Sequence, residues 1–233
     1  MRPPWEHVPA PVRAEIEDVL GFPVVRSESQ SGGFSPGVAA RVHGPDGEQA
    51  FVKAVSTDAN PATPEMHRDE ARFTALLPPN HPSPRLLGSY DDGTWVALVL
   101  EAVDGRPPSH PWNEQDLGAA VEAIVRQAGV RAVPELPTVV ETHGQELVGW
   151  RSIAAERPHL TGWEDEHLSA LTALEPLWEA AATGDDWLHL DSRGDNMLVR
   201  PDGSAVLVDW PWSCRGAAVF DAIGFVPAAV RDG

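Results

Sequence analysis

Residues 24 to 101 carry apolar side chains in short, alternating runs that suit strands. "PVVRSESQ" and "VAARVHG" read as two strands separated by "SGGFSPG" (31–37), and the turn "GPDG" (44–47) leads into a third, "EQAFVKAV". "PRLLGSY" and "TWVALVL" flank "DDG" as two more. Between these groups the period lengthens. Met66, Glu70, Phe73 and Leu77 step by four, three and four, one stripe of a helix with Thr63 as N-cap and Pro64 at its first position.

"EAVDGRPP" breaks the alternation and reads as a linker, after which the pattern is helical. Asn113 caps a helix carrying Leu117, Val121, Ile124 and Val125 that ends near Gly129. A second, from Thr161 to Gly184, carries Leu168, Leu171, Leu174 and Leu177 and bends at Pro176. Further on, "MLVR", the turn "PDGS" and "AVLV" form a hairpin with a four-residue loop. Pairing Arg200 with Ala205 then sets Asn196 opposite Asp209. The pattern as a whole predicts an α+β fold of two lobes: a β-rich N-lobe with one helix (1–102) and a mainly helical C-lobe (103–233) that carries a loop and a β-hairpin.

Composition narrows the functions open to this chain. With 233 residues, 42% of them hydrophobic, there is material for a packed core. The first twenty residues hold no apolar signal region and no run approaches the length of a membrane span, so no membrane association and a cytoplasmic location are expected. Cys214 is the only cysteine, which excludes an intrachain disulfide and fits a reducing compartment. A net charge of -18 argues against nucleic acid as a partner and would suit a cationic small molecule. The nine tryptophans fit core and lobe-boundary packing better than ligand stacking.

Of the 17 basic residues, Lys53 alone is lysine. It lies in a strand that reads as buried, where a compact ammonium is not interchangeable with a planar guanidinium. Glu70 faces inward on the helical stripe and wants a cation, although a boundary glutamate can also curl into solvent. Pairing Lys53 with Glu70 satisfies both. The loop Gly32, Gly33, Phe34 and Ser35 can bring backbone N–H groups to phosphate oxygens, yet taken alone the two glycines fit a hairpin tip better. The densest polarity falls in "LHLDSRGDNMLV" (188–199). Its hairpin would bring the Asn196 amide oxygen and the Asp209 carboxylate together, hard ligands of the kind Mg²⁺ takes beside nucleotide phosphates. Asp191, in the approach loop, is placed to orient or deprotonate an attacking hydroxyl.

"HLDSRGDN" resembles the His-x-Asp-x-x-x-x-Asn catalytic loop of the protein-kinase-like superfamily, and "VLVDW" the strand carrying its second metal-binding aspartate. With "GGFSPGVAARV", "FVKAV", "HRDEARFTALL" and "VLVDWPWSCRGAAVFD" in order from about Val24 to Asp221, the chain resembles the aminoglycoside phosphotransferase family. The resemblance implies a phosphotransferase that moves the γ-phosphate of ATP or GTP, with Mg²⁺, to a hydroxyl of a small molecule such as an aminoglycoside, another antibiotic or a metabolite. Lys53 would contact the α and β phosphates with Glu70 holding it, and Gly32 to Ser35 would cover them. The backbone at Glu101 and Val103 would bind the purine edge, Asp191 would be the catalytic aspartate, and Asn196 and Asp209 would hold the metal. His189 and Asp221 would brace the loop.

The departures from the family pattern are local. Ser192 follows Asp191 where leucine is usual, Asp195 adds a carboxylate beside the metal site, and Arg193 would screen a phosphate or pair with Asp195. Asp209 is followed by Trp-Pro, and the short segment to Asp221 leaves no room for a phosphorylatable activation loop. Family members usually continue with further helices around the acceptor, so this C-lobe is expected to be truncated or minimal. Two other readings stay open: a pseudokinase that binds nucleotide without turnover, and a metal-dependent phosphohydrolase using His189, Asp191, Asp195 and Asp209.

Overall fold

The structure, a computed structural model, describes residues 2–30, 36–79, 81–145, 148–156, 160 and 162–233. A 3-10 turn at Trp5–His7 and helix α1 (Ala10–Leu20) precede an antiparallel sheet of β1 (Arg26–Ser29), β2 (Val38–His43), β3 (Gln49–Ser56), β4 (Leu86–Asp91) and β5 (Trp95–Glu101). The strand order is β1-β2-β3-β5-β4. Strand alternation gives the sheet two buried faces. Ala50, Val52 and Ala54 of β3 join Val38, Ala40, Val42, Ala97 and Val99 in a core covered by Trp5, Val12 and Ile16. The other phase, Phe51 with Val96, Leu98 and Leu100, meets Ala71 of helix α2 (Thr63–Leu76). Lys53, between Ala39 and Leu98 in register, shares the phase of Phe51 and so points toward α2.

The start of α2 differs from expectation by one residue. Thr63 is itself helical, and the Asn60 Oδ1 accepts from the N–H groups of Ala62 and Thr63 at 2.8 and 3.2 Å. Asn60 supplies the acceptor that Thr63 was expected to provide. Pro64 stands in the first turn as its fixed φ and missing N–H favour.

The linker after β5 is tied down. Arg106 exchanges backbone bonds with Val199 (3.0 and 2.7 Å), and its guanidinium grips the buried Asp116 carboxylate with two bonds of 2.8 Å. Asp116 lies in the first turn of α3 (Glu114–Gln127), which Asn113 caps by accepting from the Asp116 N–H. Of the stripe expected to face inward on α3, only Ile124 is buried. Leu117, Val121 and Val125 are exposed, while Ala119, Ala120, Ala123 and Ile124 face inward. The alanines allow the helix to approach Ala205 closely, and that contact outweighs burial of the bulkier stripe.

The remaining elements are α4 (Val139–His143), α5 (Trp150–Glu156), α6 (Trp163–Leu174), α7 (Trp178–Ala182), β6 (Asp186–Leu188), β7 (Met197–Val199), β8 (Ala205–Leu207), β9 (Cys214–Gly216) and α8 (Val219–Arg231). The single bent helix expected over this region is instead α6 and α7 separated by a 3-10 turn at Glu175–Leu177, which contains Pro176; Leu174 and Leu177 are exposed. Strand β6 pairs with β9, and β7 with β8. In the latter hairpin Val199 faces Ala205 and Met197 faces Leu207, one residue out of the expected register. The Arg200 N–H donates to the Ser204 carbonyl at 2.8 Å, so the loop is three residues (201–203) rather than the expected four, closed by Gly203 in the left-handed region at φ +84°. Asn196 therefore lies opposite Val208, whose N–H donates to the Asn196 carbonyl at 2.9 Å, and Asp209 is one residue beyond. Phe73 of α2 packs with Trp187, Met197, Leu207, Trp210 and Phe225, so one core spans both halves of the chain. No described helix is long and apolar enough to cross a membrane.

Candidate active site

Strand β3 and helix α2 bring Lys53 and Glu70 together as their phases require, with Nζ 2.7 Å from both carboxylate oxygens. The same ammonium reaches Asp209 Oδ1 at 2.9 Å. Two carboxylates thus share one buried cation, whose tetrahedral donors can serve both. Burial lowers the Lys53 pKa, but the two carboxylates more than offset it and leave the ammonium above its ordinary value. Burial pushes Glu70 up, Lys53 pulling against it. Asp209 ends below its ordinary value because Lys53 outweighs its burial. Lys53 therefore keeps Asp209 in its charged form. The Trp210 N–H reaches Glu70 at 3.4 Å, and the Trp210 ring lies edge-on to His189 at 4.4 Å, which gives the unusual Trp after Asp209 a packing role.

The loop after β6 is braced as expected. Asp221 at the start of α8 accepts the N–H groups of His189 and Leu190 at 2.9 and 2.7 Å. Burial raises its pKa, against the pull of His189 and these two N–H groups. The His189 Nε2 lies 3.0 Å from the Val208 carbonyl and its Nδ1 accepts the Asp191 N–H at 3.2 Å. Both ring nitrogens are used, which removes His189 as a metal ligand. Leu190 and Asp209 adopt left-handed φ values of 65° and 69°, so strained backbone sits on both sides of the site. Asn196 Nδ2 donates to the Asp191 carboxylate at 2.8 Å and to its carbonyl at 3.0 Å. The Asn196 Oδ1 is thereby turned away from Asp191. Arg193 pairs with Asp191 at 2.8 Å and with Asp195 at 3.4 Å.

Lys53, Glu70, Asp191, Asn196 and Asp209 all line one cavity of about 600 Å³. Glu101 and Val103 do not line it; Glu101 ends β5 opposite Ala50, and Val103 lies two residues on in the linker, where its carbonyl accepts from Arg41 at 2.7 Å. Gly32, Gly33, Phe34 and Ser35 fall outside the described residues. Gly37, just after them, sits so close to β3 that a Cβ there would stand 2.5 Å from the Ala54 carbonyl oxygen. The cavity wall also includes residues the sequence reading missed: Arg2, His67, His143, Trp212, Phe220 and Ile223. His67 could have been found one turn before Glu70; burial and then Lys53 push its pKa down to about 3, so it is neutral. The others come from scattered segments and carry no spacing signal. Among the described residues no cluster of three or more His, Cys, Asp or Glu could hold a metal, which leaves the phosphohydrolase ligand set unassembled.

Residues 31–232 match the phosphotransferase enzyme family. The chain belongs to that family. Among solved structures, this phosphotransferase is similar to choline kinase LicA from Streptococcus pneumoniae at 14% identity and a TM-score of 0.63, over 96% of this chain and 75% of that one. It is also similar to amicoumacin kinase hAmiN in complex with AMP-PNP, Ca²⁺ and Ami, at 12% identity and 0.57, over 94% and 69%. A putative fructosamine-3-kinase from Haemophilus somnus 129PT follows at 16% and 0.52, over 88% and 71%. These similarities establish the kinase-like fold. No curated protein matches the sequence.

Proposed function

We propose that this phosphotransferase moves the γ-phosphate of a nucleoside triphosphate, ATP or GTP, to a hydroxyl of a small molecule. The observation that carries the reading is the Asp191 carboxylate, held by Asn196 and opening on the cavity that Lys53 and Asp209 also line. Asp191 orients the acceptor hydroxyl and takes its proton as transfer proceeds. Lys53 binds phosphate oxygens, with Glu70 fixing it. The backbone at Glu101 and Val103 would meet the purine edge, and the Val103 carbonyl, which accepts from Arg41, keeps a second lone pair.

Asn196 and Asp209 fit a divalent cation in donor chemistry. Both offer hard oxygens to the cavity, and the Asn196 amide nitrogen is already engaged elsewhere. When bound there, Mg²⁺ would neutralise and orient the phosphates. The amicoumacin kinase complex with AMP-PNP and Ca²⁺ supports nucleotide and divalent metal use in this fold. On the acceptor side, His143, Trp212, Phe220 and Ile223 form a largely apolar wall, with His143 and Trp212 rings 5.6 Å apart. The only described carboxylates in the lining are Glu70, Asp191 and Asp209, all with roles already given. The wall therefore favours an alcohol with an apolar or aromatic face over the polycation that net charge suggested.

The test is ADP or GDP release across panels of cationic and apolar alcohols, alongside calorimetric binding of the Mg-nucleotide. Asp191→Asn should lower turnover by about 10²–10⁴-fold and leave nucleotide affinity unchanged, whereas Asp209→Asn should weaken both. Nucleotide binding without acceptor-dependent release in any panel would favour a pseudokinase, and release without acceptor a hydrolase.

A further inference from the structure

Residues 2–5, Arg-Pro-Pro-Trp, carry a cation from the outer core of the sheet into the cleft. Trp5 and Val8 are buried to 2% and 1% exposure against β2 and β3. Pro4 has φ -72° and ψ 168°, and two consecutive prolines make a short, stiff spacer of extended backbone. Ahead of that anchored spacer, Arg2 lines the cavity shared by Lys53, Asp191 and Asp209.

The other cations of the cavity are committed. Lys53 holds Glu70 and Asp209, and Arg193 holds Asp191 and Asp195. His67 is neutral, with its pKa near 3. Arg2 forms no ion pair among the described residues, and its Nε is shielded from solvent with no hydrogen-bond partner. Burial lowers its pKa, with Asp209 pulling the other way. A half-buried guanidinium left with an unpaired donor is costly, and an anion entering the cleft would remove that cost.

We propose that Arg2 is a phosphate-binding residue, a second cation beside Lys53 that engages the terminal phosphate oxygens of the bound nucleoside triphosphate. The planar fork of arginine suits bidentate contact with phosphate, a task distinct from the point charge of Lys53. The proposal rests on the nucleotide reading of the site. It opposes a specific rival, in which Arg2 fills the place of the metal beside Asp209 and keeps nucleotide out.

The two differ in sign. The protein is prepared with an untagged N-terminus as wild type, Arg2→Ala and Arg2→Lys, and titrated calorimetrically with Mg-ATP, Mg-ADP and adenosine, or the guanine series if GTP is preferred. Loss of a charged hydrogen bond should weaken triphosphate binding about tenfold to a hundredfold in Arg2→Ala. Diphosphate should lose less and the nucleoside nothing, with Arg2→Lys recovering part of the loss. Unchanged or tighter triphosphate binding in Arg2→Ala overturns the proposal, as does an equal loss for triphosphate and nucleoside, which would mark a structural role. If the wild type binds neither triphosphate, the nucleotide reading itself fails and takes Arg2 with it; binding by the wild type with an indifferent Arg2→Ala sinks Arg2 alone.

Discussion

One ammonium between two carboxylates has a geometry that a guanidinium cannot copy. Lys53 Nζ lies within 2.7 Å of Glu70 and 2.9 Å of Asp209, contacts that its tetrahedral donors satisfy from one point. Lys53→Arg keeps the charge but pushes a larger planar group into a space bounded by Leu98 and α2. Nucleotide affinity or turnover should therefore fall, and normal kinetics in that variant would refute the point-charge reading. The Asp221 carboxylate makes a second residue-scale case. It binds the two N–H groups that flank the left-handed Leu190, so Asp221→Ala should cost about 1–3 kcal/mol by leaving buried donors unmet. Denaturant unfolding checks the stability, and kcat should drop with it because the Asp191 backbone loses its brace. The Lys53–Glu70 pair was legible because a lone lysine and an inward glutamate each needed a partner in adjacent elements. The Asp209 contact joins residues 156 positions apart, and nothing local announces it.

At the scale of elements, small differences in backbone chemistry decided what the hydrophobic pattern could not. The stripe Leu117, Val121, Val125 is the more apolar face of α3, yet it is exposed, because Ala119 and Ala123 allow contact with Ala205 at close range. Residue hydrophobicity measures what a face gains by burial, but not how near its partner can come. The consequence can be measured by urea unfolding. Val125→Glu, at 67% exposure, should change stability by no more than about 0.5 kcal/mol. Ala120→Leu, at 0% exposure, should cost about 1–3 kcal/mol through overpacking. The reverse order would restore the expected face. The hairpin shows the same limit: "PDG" announces a turn, but whether Gly203 takes the left-handed region and shifts the register by one depends on the strands it joins.

For the whole molecule, the order of chemical motifs along the chain was legible because phosphoryl transfer needs particular groups on particular elements. The cavity wall proposed for the acceptor was not, since His143, Trp212 and Ile223 meet only through tertiary packing. That packing runs through a core that Phe73 of α2 shares with Trp187, Trp210 and Phe225, and it implies that the two halves unfold together. Cys214 offers a probe. Its thiol is fully buried on β9, opposite Leu188 of β6, and burial, aided by Asp221, raises its pKa to about 12. A thiol whose folded pKa lies above the ordinary 9.0 leaves stability untouched below that pH, and stability then falls as the pH climbs from 9.0 toward 12, since only the unfolded chain ionises readily. Near neutral pH the native thiol should resist disulfide and maleimide reagents, reacting only when the chain opens. Its labelling free energy should then equal that of global unfolding followed by tryptophan fluorescence. A nucleotide that binds only the native state should slow labelling about 100-fold at 100 times its Kd. Labelling much faster than global unfolding, and insensitive to Mg-nucleotide, would mean that the region around β9 opens on its own and that the shared core does not couple it to the cleft.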